Sequence, residues 1–133
     1  MQFQDVLVKF KKVKDFDPTG LLQLKEDTDE TVAIKILARF FITLEESLNH
    51  VATSLNSGEL TEVSKGSHKI AGSADLVGFA VFAQKSRKIS RDVKTVPEMS
   101  SADLHHEVVD YLSDGKLMLG QMKEAFSDYK RFI

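Results

Sequence analysis

Apolar residues recur along this chain at alternating steps of three and four, the spacing that lays a stripe along one side of an α-helix. Phe3, Val6, Leu7 and Phe10 share one side of a first such segment, about residues 1–14, with four lysines mostly on the other. "DFDPTG" at 15–20 breaks that pattern. Asp27 and Glu30 stand at capping-box spacing before the longest seam, which runs through Ile34, Leu37, Phe41, Leu44, Leu48, Val51 and Leu55. "NSG" at 56–58 closes it, with Gly58 expected as its C-terminal residue. Leu60, Val63, Ser67, Ile70, Ala74 and Val77 carry the next seam to Gly78. Phe79, Phe82, Ser86, Ile89 and Val93 carry another, ended by "KTVPEMS" at 94–100. Ser100 with Asp103 is placed to cap a last helix. Its inward positions include Leu104, Val108, Tyr111, Leu112, Leu119, Met122 and Phe126, and Gly115 is the expected point of a bend or split.

No segment alternates with period two over the length of a strand. The expected fold is all-α: an antiparallel four-helix bundle over about residues 28–131, with an additional N-terminal helix covering one end or side. A chain of 133 residues suits a single domain.

Composition narrows the function. A net charge of −2 provides no global basic field for nucleic acid, and "KFKKVK" at 9–14 reads as a solvated helix face. With no cysteine, disulfides, thiolate metal sites and cysteine nucleophiles are excluded, which fits a reducing compartment. The N-terminal stretch lacks the apolar core of a signal peptide, and no apolar run approaches the roughly 18 residues of a membrane span. A cytoplasmic protein is expected. His50 follows Glu46 by one helical turn, but no matching pair recurs elsewhere. His105 and His106 in "DLHHE" would point about 100° apart on a helix. No metal site is expected from either.

The stretch "KGSHKIAGSADLVGF", residues 65–79, stands out. His68 lies about 130° from the centre of its helix's apolar seam and should face water. Lys65, Gly72 and Leu76 share its side; Lys69 and Asp75 flank them. A glycine within a helix costs roughly 1 kcal/mol relative to alanine. Gly72 could serve close packing against a neighbouring helix, and a lone surface histidine or leucine is ordinary. Together, however, a bare backbone patch and an exposed imidazole would let another molecule approach closely.

These residues resemble the histidine-containing phosphotransfer (HPt) family of bacterial and fungal phosphorelays, whose signature runs His-x-Leu-Lys-Gly-Ser-x-x-x-x-Gly. In "HKIAGSADLVG", His68, Gly72, Ser73 and Gly78 match in register, and Ile70 replaces the leucine. Phe82, Ala83 and Ile89 fall on the family's apolar positions. Two positions depart: the family lysine is Ala71, and its frequent acidic or amide residue is Ser90. The resemblance implies a phosphorelay shuttle in which His68 takes a phosphoryl group from a response-regulator receiver aspartate and passes it to another. It implies receiver domains and a hybrid sensor histidine kinase as partners, Mg²⁺ brought by the receiver, and no cofactor held by the chain. Gly72, Leu76, Asp75 and Ala71 would meet the receiver, Gly78 would be a turn or packing residue, and Lys65 and Lys69 would offset phosphate charge.

No glycine-rich phosphate loop follows a strand here, so neither an ATP site nor kinase activity is expected. A monomer is expected. Two other readings remain at the level of sequence: a non-catalytic helical adaptor, or the phosphoacceptor domain of a larger sensor or chemotaxis-type kinase.

Overall fold

The computed structural model describes residues 3–95 and 101–133. Six α-helices occur among them, with a short 3-10 turn at Tyr129–Phe132 and no strand. In α1 (Phe3–Phe10), Phe3, Val6, Leu7 and Phe10 are all buried, as their stripe requires. A second helix, α2 (Thr19–Asp27), was not expected from the sequence. Its only buried residue is Leu21, so it has almost no apolar stripe to read. Local hydrogen bonding starts it instead. The Asp17 carboxylate accepts from the Thr19 amide at 2.9 Å and the Thr19 hydroxyl at 2.7 Å. Those donors hold the Asp17 carboxyl below its ordinary range.

The longest helix, α3 (Glu30–Asn56), is capped by Asp29, whose carboxylate accepts from the Val32 amide at 2.9 Å. The expected cap at Asp27 is therefore corrected: Asp27 ends α2 and accepts from Gln23 Nε2 at 2.9 Å. Helix α4 (Leu60–Val77) ends at Gly78, whose φ of 110° few other residues tolerate, and the Phe79 amide donates back to the Ala74 carbonyl at 2.8 Å. After α5 (Ala80–Lys94), α6 runs unbroken over Ser101–Ala125. Gly115 does not bend it. A Cβ at Gly115 would lie 2.7 Å from Leu48 Cδ2, so the glycine lets α6 close on α3. The expected cap residue Ser100 lies outside the described residues.

Helix α4 packs against both α3 and α5, and α6 meets the same two helices. Their inward seams join one hydrophobic cluster that also takes in α1. Phe10 lies edge-on to Phe16 (5.2 Å) and Phe41 (6.2 Å), while Phe40 stacks on Phe79 (5.8 Å). These rings seat the N-terminal segment on α3 and on the α4–α5 turn. The Asp17 amide donates to the Gly78 carbonyl at 2.9 Å, and a side chain at Gly78 would overlap the Asp17 carbonyl. Burial pushes the Tyr111 phenol up, and its hydroxyl is paired with Ser86 Oγ at 2.6 Å across α5 and α6. Among the described residues, no helix is long and apolar enough to cross a membrane.

Candidate functional site around His68

Helix α4 buries Val63, Ser64, Gly66, Ser67, Ile70, Ala71, Ala74 and Val77. Its outer face exposes Lys65, His68, Lys69, Gly72, Asp75 and Leu76. The two glycines at the ends of "GSHKIAG" do different work. A Cβ at Gly66 would lie 2.7 Å from Val51 Cγ2, so Gly66 lets α4 lie against α3. A Cβ at Gly72 would meet nothing within 4 Å. No intramolecular packing requires a glycine there, and the α4 backbone beside His68 is open to a visitor.

Ala71, expected on the contact face, lies beneath it at 2% exposure. Three steps along the helix place it about 60° around from His68, on the side nearer the apolar seam. Leu76 is 49% exposed. Asp75 is exposed but pairs with Arg87 of α5. Lys65 lies 3.8 Å from Glu62 Oε1, and the other Glu62 oxygen lies 3.2 Å from His50 Nε2. Lys69 has no carboxylate partner among the described residues. His105 and His106 are exposed on α6, away from this constellation in the chain.

The groove geometry brings in residues that the sequence reading missed. His68 stands between two open grooves along the α4–α5 seam. One, of about 560 Å³, has Leu60 and Val93 as its apolar wall, Ser64 and Ser90 at its base, and Lys65 and Lys94 at its rim. Ser64 Oγ donates to the Ser90 carbonyl at 3.0 Å, and the two hydroxyls lie 3.0 Å apart, so these small residues join the helices at that base. The other groove, of about 780 Å³, is lined by His68, Gln84, Arg91, Lys94 and further α5 residues.

Of the α5 cations, three are held by carboxylates. Arg87 pairs with Asp75, Lys85 with Asp114 at 3.2 Å, and Lys88 with Asp92 and Glu107 at 2.7 Å each. The last cluster is tight enough to move its protons. Hydrogen bonds to Asp92 and Glu107 raise Lys88. Asp92 is lowered by its hydrogen bonds to Glu107 and Lys88, while burial and then Asp92 raise Glu107. Arg91 and Lys94 make no ion pair as close as these among the described residues, although the charge of Arg91 also helps to lower Asp92, and both line a groove with His68. Their basic character is plain in the sequence. Which basic residues of α5 turn towards His68 depends on how α5 packs on α4, and no spacing within one helix reveals that.

Past Leu76 the surface changes character. A groove of about 280 Å³ between α3 and α4 is lined by Val32, Ile36, Phe40, Leu76 and Val77, with Lys35 and Arg39 at its edge. The face is thus cationic beside the histidine and apolar one to two turns further on.

Among the described residues, no side chain hydrogen-bonds the His68 imidazole. A nitrogen lone pair is available to an incoming electrophile, but no carboxylate orients the ring as in a hydrolytic triad. The arrangement suits capture of an already activated group. The chain matches no family model, no curated protein and no solved structure.

Proposed function

We propose that the chain is a histidine phosphotransfer protein, with its four long helices forming an antiparallel bundle and His68 as phosphoacceptor. One observation carries the reading: an exposed imidazole without a side-chain hydrogen bond stands beside the open backbone of Gly72, on a groove shared with the cations Arg91 and Lys94. The HPt-like register of His68, Gly72, Ser73 and Gly78 supports it.

A neutral imidazole nitrogen is nucleophilic near pH 7. It attacks the phosphorus of an aspartyl phosphate on a receiver domain. The new N–P bond forms as the acyl P–O bond breaks, and the aspartate carboxylate leaves with that electron pair. Transfer to a second receiver reverses the step. Such transfer depends on positioning and charge stabilisation. Gly72 admits the receiver's loops, Leu76 and the neighbouring apolar groove supply contact area, and Arg91 and Lys94 face the phosphoryl charge. Mg²⁺ comes with the receiver.

The test is incubation with a phosphorylated receiver domain, scored for acid-labile, base-stable phosphate. His68→Gln is expected to abolish uptake, while changes at His50, His105 and His106 leave it intact. Labelling of the His68→Gln protein at the parental level would refute the assignment.

The apolar groove at Leu76 favours one second reading, an adaptor that binds a receiver without transfer. That reading expects full receiver binding and no labelling of the parent protein.

A further inference from the structure

We propose that Glu62 is a positioning residue that withholds Lys65 from His68, so that its carboxylate sets how much positive charge the phosphorylated histidine receives. This rests on His68 as phosphoacceptor. Lys65 and His68 are three residues apart on α4 and border the same groove. Lys65 is nonetheless drawn to the other side, with its Nζ 3.8 Å from Glu62 Oε1. Glu62 is itself anchored across the helix pair, its second oxygen 3.2 Å from His50 Nε2 on α3. The anchor has a firm base, because Gly66 allows α3 and α4 to approach closely at this level and a Cβ there would lie 3.6 Å from His50 Cδ2.

The chain His50–Glu62–Lys65 therefore ends one turn short of His68. A phosphoryl group on His68 would add close to two negative charges and compete with Glu62 for the lysine. The contact at 3.8 Å is loose and solvent-facing, so this competition is winnable. Lys94, on the opposite rim of the same groove, has no carboxylate among the described residues to compete for it. Lys65 is thus a conditional cation and Lys94 a standing one.

The experiment charges the protein with phosphoramidate, whose P–N bond breaks with loss of ammonia as the imidazole nitrogen bonds phosphorus. Decay of phosphorylated His68 is then followed residue by residue by NMR in the full chain. Glu62→Gln, which keeps the shape and removes the charge, is expected to lengthen the lifetime about two- to fivefold. In a Lys65→Ala background the same substitution is expected to change it little. An equal lengthening in both backgrounds would overturn the proposal, because the carboxylate would then be repelling the phosphate directly. No lengthening in the parent background would overturn it as well. Phosphoramidate loads the histidine without any receiver, so failure of receiver-dependent transfer would count against the proposed function and leave this result standing.

Discussion

Gly66 and Gly72 lie six residues apart on one helix, look alike in the sequence and call for opposite substitution effects. Alanine at Gly72 meets open space, so Gly72→Ala is expected to stabilise by up to about 1 kcal/mol through helix propensity. Gly72→Gln should leave the melting temperature within a few degrees of the parent and slow transfer from a receiver. If it unfolds the protein, Gly72 is a packing residue and the open-face argument fails. At Gly66 the same propensity gain of about 1 kcal/mol competes with an overpacking cost of about 1–3 kcal/mol against Val51. Gly66→Ala is expected to destabilise, by up to about 2 kcal/mol in urea titration. The helix wheel was enough to turn His68 and Gly72 outward, because that needs only the position of their own apolar seam. It could not assign Gly66, whose reason is a valine on another helix. The burial of Ala71 was harder to read, since three steps leave it only about 60° around the wheel from an outward histidine.

Among the elements, α5 holds what the sequence concealed. Arg91→Ala and Lys94→Ala are each expected to shorten the phosphohistidine lifetime about two- to fivefold, as weak exposed pairs allow. Lys85→Ala, whose cation is already held by Asp114, serves as the control and should change little. The α5–α6 cluster makes a separate prediction about pH. The folded chain binds the Glu107 proton more tightly than the unfolded chain does. That contribution to stability is complete below the ordinary carboxylate pKa and is lost as pH rises through the raised value. Asp92 acts oppositely: its contribution is present above the ordinary value and is lost as pH falls through the lowered one. Glu107→Gln imitates the protonated form at every pH while keeping an acceptor for Lys88. It should equal or exceed the parent in stability at pH 7 and lose that advantage as pH falls below the ordinary carboxylate pKa of about 4. Denaturant midpoints at the two pH values decide it. The long helices were legible because each carries an apolar seam of several turns. Helix α2 was hidden because a helix with one buried leucine is started and held by Asp17 and Thr19, not by periodicity. Missing α2 also misplaced the α3 cap, since Asp27 and Asp29 are both plausible until α2 claims the first.

Across the whole molecule, a net charge of −2 coexists with a cationic patch at His68. Composition alone thus understated the local field. Raising salt should reduce receiver-dependent transfer more than phosphoramidate labelling, which needs no protein docking. The aromatic contacts around Phe10 tie α1 to elements on both sides of the core. Phe10→Ala is accordingly expected to cost about 3–5 kcal/mol in thermal or urea unfolding.

The tie between Asp17 and Gly78 also orders events in time. During synthesis the N-terminal helix emerges first, yet the glycine carbonyl and the phenylalanine that receive it come about sixty residues later. At 5–20 residues per second that is a wait on the order of 3–12 s, during which Phe10 can meet Phe41 of α3 but not Phe79. The seat of the N-terminal segment stays incomplete until the end of α4 has left the ribosome. Closing so distant a contact also carries a larger loop entropy than pairing neighbouring helices. The N-terminal segment is therefore expected to dock last in refolding. In pulse-labelled hydrogen exchange, the Asp17 amide should gain protection after the amides of α4 and α5.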